Sequence, residues 1–365
     1  MKVRYSYLEQ QFQNCDDLWD DLKKFVRSGD FTLGKELKIF EDNFAKLIGA
    51  KYAIGVNSGT DAIKLSLKAL GIKAGDEIIT AANTFVATVG AICELGAIPI
   101  FVDCDDTFCI NTNLIEAKIT KKTKAIIPVH FTGYMSNMSK VNEISKKHNL
   151  IVIEDACQSI LGSIDGINAG LWGDAGAFSL HPLKNLNVWS DGGVIITNND
   201  DLYRNLILLR NHGLSDRDTV KILGYNSRLD TFQAVVGNWL LPKAKSISDL
   251  RIKNAYYLDK NLEKIKQISI PSRPKNYRIV YHLYIVFAEN RDKLLKYCLD
   301  KGIEAKVHYP VPIYLQPALS SFGYKKGDYP VTDRHAKNII TFPCDQHLSK
   351  EQLDYIINTV KNFYA

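Results

Sequence analysis

The chain has 365 residues, 46% of them hydrophobic and 24% charged, which is ordinary globular usage and excludes a disordered chain, a collagen repeat or a small disulfide scaffold. That length implies about two domains and a core large enough to fold without a metal or disulfide staple. Lys plus Arg number 46 against 40 Asp plus Glu, so the net charge is +6 with no dense basic tract; this argues against a nucleic-acid partner and suits small anionic substrates.

In chain order, residues 16–26 and 35–47 read as helices around the turn Ser28-Gly29-Asp30. Short apolar runs at 52–56, 77–80, 98–102, 125–129 and 150–154 then read as buried strands. Between them, 61–70, 85–95, 112–119 and 139–148 read as helices. Strands at 175–180 and 193–197 and a helix at 200–210 follow. This alternation predicts an α/β fold with a mostly parallel sheet covered on both faces. After residue 240 the texture changes to a long polar helix (244–264), segments at 268–274 and 281–287, and helices at 291–301 and 350–364. We expect a large domain over 15–243 and a small α+β domain over 244–365, with residues 1–14 packing on the latter.

The seven cysteines are odd in number and form no C-x-x-C pair, so neither a disulfide framework nor a zinc cluster is expected. The eight histidines show no metal-ligand spacing. The start MKVRYSYLEQQ lacks the apolar core of a signal peptide, and no run of about 18 apolar residues is present. A cytoplasmic protein without a membrane span is the expectation.

Three segments carry chemistry. Asn57-Ser58-Gly59-Thr60-Asp61 joins a predicted strand to a predicted helix, and a helix start with a close backbone approach at Gly59 makes an anion site. A plain N-cap with a tight turn would have the same sequence. Glu154-Asp155-Ala156-Cys157-Gln158 ends another strand, where an open parallel sheet binds its ligands; a loop-capping Asp is the alternative. In Phe178-Ser179-Leu180-His181-Pro182-Leu183-Lys184-Asn185 a strand runs into a turn that carries a lysine. Held in a crevice, that amine could lose its proton and act as a nucleophile; otherwise it is a surface lysine. Asp191-Gly192-Gly193 gives a flexible turn before the next strand.

In this order and spacing, these segments resemble the DegT/StrS sugar aminotransferases. These are pyridoxal 5'-phosphate (PLP) enzymes of the aspartate-aminotransferase fold, fold type I. Asn83-Thr84-Phe85-Val86-Ala87-Thr88, Pro128-Val129-His130, Gly224-Tyr225-Asn226-Ser227-Arg228-Leu229-Asp230 and His308-Tyr309-Pro310 extend the resemblance over nearly the whole chain. It implies a large domain with a mostly parallel seven-stranded sheet flanked by helices, and a smaller α+β C-terminal domain. It implies that Lys184 forms the internal Schiff base with PLP and shuttles the α-proton, and that Asp155 pairs with the pyridine nitrogen. Gln158 would lie near the phenolic oxygen and Phe85 on the ring face, while Gly59, Thr60 and Ser179 would hold the phosphate. Asn226 would reach the phosphate of the neighbouring subunit, making a homodimer with shared sites. His308 and Tyr309 would line the substrate mouth. His181 and the bulky Trp189 are further substrate-contact candidates; for His181 and for His308 a structural histidine is the alternative, and for Trp189 a packed loop tryptophan.

The implied reaction moves an amino group from L-glutamate to a keto-sugar, mostly a nucleotide-linked keto-deoxysugar. The product is an amino sugar for a cell-surface polysaccharide, lipopolysaccharide or glycosylated metabolite. Lys184 favours this over the family's dehydratases, which carry histidine there. Because Trp189 departs from the small loop common in the family, an oxidised 3-deoxy-octulosonate aminated to the 8-amino sugar is an alternative substrate. A non-catalytic PLP-binding regulator is the alternative from another class. A nucleotide-binding module is disfavoured, since no G-x-G-x-x-G follows the first strand.

Overall fold

A computed structural model describes residues 1–365. A short helix α1 (Leu8–Gln11) precedes α2 (Asp16–Ser28) and α3 (Lys35–Ile48). α3 stops where Gly49 takes φ 92°, a left-handed cap that glycine adopts without a Cβ clash, and the chain turns directly into the sheet. The large sheet is then built from β1 (Tyr52–Val56), β2 (Glu77–Ala81), β3 (Ile98–Val102), β4 (Thr123–Ile127) and β5 (Ile151–Asp155). Helices α4 (Gly59–Ala69), α5 (Val86–Glu94) and α6 (Met138–His148) connect them. A small hairpin, β6 (Ser163–Ile164) and β7 (Ile167–Asn168), leads to β8 (Ala175–Ser179) and β9 (Gly193–Thr197).

The seven strands lie in the order β1-β9-β8-β5-β4-β2-β3. β9 is antiparallel to both β1 and β8, and the remaining pairs are parallel, so every strand except β9 points the same way. The strands are apolar without alternation because both faces are covered. Ala125, Ile126 and Ile127 of β4 are fully buried, as are Ala62, Ile63, Leu65 and Leu67 of α4, which crosses the sheet.

The expected helix over 112–119 is not formed. That stretch holds two 3-10 turns, Thr112–Leu114 and Glu116–Lys118. The Asn111 side chain accepts from the Asn113 N–H and offers the backbone a local turn in place of an α-helical start. Ile115 is buried but Leu114 is exposed, so no apolar stripe favours a longer helix.

After α7 (Asp200–Leu209) and α8 (Thr231–Leu240), the long α9 (Ala244–Leu262) leads into the C-terminal part. There β10 (Ile268–Ser269) is followed by β11 (Tyr277–Arg278), which joins the small hairpin, and by β12 (Tyr284–Ala288). Then come α10 (Arg291–Asp300), α11 (Pro330–Asn338), β13 (Ile339–Phe342) and α12 (Lys350–Tyr364). β10-β12-β13 form an antiparallel sheet. Leu258, Tyr284, Leu294, Phe342 and Ile356 share one core there with Val3. Val3 bridges in parallel to Ile303. All seven cysteines are unpaired, and no helix is long and apolar enough to cross a membrane.

Candidate active site

The parallel strands deliver their C-terminal ends to one edge of the sheet, and a cavity of about 350 Å3 opens there. At the exit of β1, the Ser58 hydroxyl accepts from the Asp61 N–H (3.1 Å) and starts α4, so Gly59 and Thr60 stand at a helix N-terminus. Gly59 is pressed against the exits of two other strands. A Cβ there would stand 2.8 Å from Ser179 Cβ and 2.9 Å from Cys157 Sγ. Gly59, Thr60 and Ser179 thus form one wall, a cradle that admits backbone but no further side chain.

Asp155 ends β5, two residues before the cavity-lining Cys157, and is 6% exposed. Its Oδ2 accepts from the Thr88 hydroxyl (2.7 Å) and its Oδ1 from the Cys157 N–H (3.2 Å). Since Thr88 spends its one proton on Asp155, Thr84, 2.7 Å away, must donate to Thr88. The backbone of Asp155 is fixed as well: its N–H donates to Pro128 O and its carbonyl accepts from the His130 N–H, both at 3.0 Å.

On the opposite sheet face, Glu154 is fully buried and saturated with donors. Oε2 accepts from His130 Nε2 and the Gly170 N–H (both 2.8 Å), and Oε1 from the N–H groups of Trp172 (2.7 Å) and Gly173 (2.9 Å). With Nε2 donating, His130 Nδ1 accepts from the Ser136 N–H (3.3 Å). This carboxylate locks the strand end on which Asp155 sits.

Lys184 lies in the turn after β8, its N–H bonded to His181 O (2.8 Å), and its side chain lines the cavity. Burial holds the ammonium below its ordinary pKa, and the nearby Cys157 and Asp155 partly oppose this. Burial likewise pushes the Cys157 thiol well up, so it stays protonated. Three imidazoles surround the amine. Burial lowers His181, with Lys184 adding to the effect. His282 falls well below its ordinary value through burial and then Lys184. His308 falls to about 4 through burial, then Lys306 and Lys184. All three therefore remain uncharged near neutral pH.

Phe85, Gln158, His181, His308 and Tyr309 also line this cavity. Gln158 Oε1 accepts from the Thr132 N–H (2.8 Å), which orients the amide. The Phe85 ring, 53% exposed, is centred 6.0 Å from the Tyr309 ring. Besides Asp155, two expected residues do not line this cavity. The Trp189 ring is turned away into an aromatic cluster, 5.2 Å from Trp19, 5.8 Å from Phe12 and 5.9 Å from Phe232, and the backbone N–H of Trp189 donates to Gln233 Oε1 (3.0 Å). Edge and tilted contacts with these rings hold the indole there. Asn226 is exposed on its loop and does not line the cavity of its own chain.

Tyr5, Leu183, His282, Leu283 and Lys306 line the cavity without having been singled out in the sequence. For His282, whose Nδ1 has no hydrogen-bond partner, the only signal is a polar residue inside the apolar run Val280-Tyr281-His282-Leu283-Tyr284. Tyr5 carries no local signal, because its place depends on the return of the chain near Ile303.

Comparison with known proteins gives the family and the fold. The model of the DegT/DnrJ/EryC1/StrS aminotransferase family matches residues 14–361. A Geobacillus stearothermophilus protein named a pleiotropic regulatory protein is 39% identical over 368 residues, covering 100% of this chain and 99% of its own. A UDP-N-acetyl-3-dehydro-alpha-D-glucosamine 3-aminotransferase of Acidithiobacillus ferrooxidans is 36% identical, covering 95% of this chain and 93% of its own. The crystal structure of S. venezuelae DesV superimposes with a TM-score of 0.97 at 32% identity, covering 100% of this chain and 98% of that one.

Proposed function

We propose a function from one premise: the chain belongs to the DegT/DnrJ/EryC1/StrS aminotransferase family and uses PLP as its cofactor. It transfers an amino group from L-glutamate to a keto-sugar, a nucleotide-linked keto-deoxysugar in the first instance. The observation that carries this is the single cavity in which the Lys184 amine and the Gly59-Thr60-Ser179 cradle converge, with Asp155 two residues before the cavity-lining Cys157.

These residues fit the cofactor group by group. The cradle that a Cβ at Gly59 would fill suits a phosphate at a helix start. Asp155, held by Thr88 and the Cys157 N–H, presents a fixed carboxylate for the ring nitrogen. When bound, PLP supplies an aldehyde that holds an amine and a ring that draws electrons from the carbon bearing it. Lys184 Nζ, its proton weakened by burial, serves as the amine for that aldehyde and then takes and returns the substrate proton. Phe85 covers the ring and Gln158 meets its oxygen. His181, His308 and Tyr309 line the substrate side without adding charge, and the exposed Lys306 attracts an anionic group, whether a diphosphate or a carboxylate.

Asn226 completes the site of a second copy in a homodimer. It is exposed and outside its own cavity, and Val220 (57%) and Leu223 (84%) on the same loop expose apolar surface suited to a partner subunit. The large and small domains divide near residue 243, which agrees with the separate core around β12 and β13.

A regulatory role without catalysis is the second reading. A relative's name favours it and a complete cavity with Lys184 in place disfavours it. The oxidised 3-deoxy-octulosonate alternative loses the support expected from Trp189, which lies outside the cavity. Both are decided by incubating the PLP-loaded protein with L-glutamate and a panel of keto-sugars, nucleotide-linked and free, that includes this eight-carbon acid. Nitrogen gain on a nucleotide-linked sugar by mass spectrometry is the expected result. Gain only on the eight-carbon acid would replace the substrate, and no gain on any acceptor would leave the regulatory reading.

A further inference from the structure

We propose that Tyr7 is a positioning residue for Lys184, so that the N-terminal segment 3–11 belongs to the active site. This rests on Lys184 being the reacting amine. The carbonyl of Lys184 accepts from the Tyr7 hydroxyl (2.8 Å) and from Asn187 Nδ2 (3.0 Å). These two side chains, with the local bond of its N–H to His181, hold the turn that aims the amine into the cavity.

Tyr7 is itself firmly held. It is 4% exposed, its ring is stacked on His347 (6.0 Å, 30°), and the Arg251 guanidinium lies 4.8 Å from the ring centre. Upstream, the Val3 N–H donates to Gly302 O and the Glu304 N–H to Val3 O, both at 2.9 Å, while the Tyr5 N–H donates to Glu304 Oε2 (2.9 Å). Downstream, Gln11 Oε1 accepts from Gln346 Nε2 (2.7 Å) and lies 3.0 Å from His347 Nε2. The segment is therefore anchored on the C-terminal part at both ends and touches Lys184 in the middle. Between these points Tyr5 forms cavity wall and stacks on His308 (5.9 Å). Burial raises the pKa of the Tyr7 hydroxyl, with Arg251 partly opposing, so it remains a donor at any working pH. A reacting amine needs placement to a fraction of an ångström, and a buried donor to its own backbone is a direct way to secure it.

Tyr7→Phe tests this, because it keeps the ring on His347 and Arg251 and removes only the hydroxyl. The first measurement uses the apo-protein: the rate at which acetic anhydride modifies Lys184, followed across pH by peptide mass spectrometry. The second is the single-turnover rate at which L-glutamate bleaches the yellow PLP-loaded protein. The expected result is a displaced pH midpoint for Lys184 and a half-reaction slowed about three- to tenfold, the scale of one hydrogen bond. The apo melting temperature should change little. Asn187→Ala should act in the same direction, and the double variant should lose more than the product of the two singles, because the carbonyl then has no donor. An unchanged midpoint and rate in Tyr7→Phe overturn the proposal, as do losses that follow only a fall in melting temperature. If Tyr7→Phe does not fold, an unchanged midpoint in Asn187→Ala overturns it. A wild-type protein that never turns yellow would instead fail the proposed function, and the apo-protein measurement would still decide on Tyr7.

Discussion

Gly59→Ala adds one methyl group at the narrowest point of the cradle. Its Cβ would stand 2.8 Å from Ser179 Cβ and 2.9 Å from Cys157 Sγ, closer than such carbons approach in folded proteins. Ser179 ends β8 and Cys157 follows β5, neighbouring strands of the sheet, so neither yields easily. The start of α4 must shift instead, and overpacking of this kind costs about 1–3 kcal/mol. In the apo-protein the helix start can relax into the cavity; with a phosphate in the cradle it cannot. The cost therefore falls on the bound state and weakens PLP binding about five- to a hundredfold, at about 1.4 kcal/mol per decade. The assay is an absorbance titration of the apo-protein with PLP and, separately, with pyridoxal, which lacks the phosphate. PLP affinity should fall far more than pyridoxal affinity, with the apo melting temperature nearly unchanged. Equal losses for both ligands, or no loss for PLP, would refute the assignment of the cradle to the phosphate.

Glu154→Gln places an amide nitrogen against two of the four donors now served by the carboxylate, whichever way the amide turns. Urea unfolding of the apo-protein should show a loss of about 2–4 kcal/mol, and a wild-type midpoint would contradict the locking role. Trp189→Phe should lower stability by about 1–2 kcal/mol through lost packing on Phe12, Trp19 and Phe232 while leaving the KM for the keto-sugar unchanged; a changed KM would return Trp189 to the substrate site. Burial lowers His335 from 6.5 to about 4, with Arg334 adding to the effect. Between those values the unfolded chain binds the proton and the folded one does not, so stability falls as the pH drops from 6.5 to 4. His335→Phe keeps the ring against Phe108 and Phe287 and should recover up to about 2 kcal/mol at pH 5 relative to pH 7 in urea melts; an unchanged slope would assign the loss to other groups.

The large sheet was legible because a parallel sheet covered on both faces writes its strands as continuous apolar runs, as in β4 and β5. The site was legible for a related reason: ligands sit at strand exits, and Asn57–Asp61, Glu154–Gln158 and Phe178–Asn185 each straddle one. Closeness along the chain misled for Trp189. It lies five residues after Lys184, yet the chain swings round so that its ring meets Trp19 and Phe232 from distant helices. Tyr5, Tyr7 and His282 were missed for the converse reason. Each reaches the site through contacts with remote segments, which no local pattern records. At 112–119 local side-chain bonding outweighed a weak helical pattern.

The central claim is that Lys184 joins PLP covalently. Sodium borohydride reduction of the PLP-loaded protein, followed by peptide mass mapping, tests it directly. One pyridoxyl group on the peptide bearing Lys184, absent from Lys184→Arg, is the predicted result. A label on another lysine, or none, would contradict it.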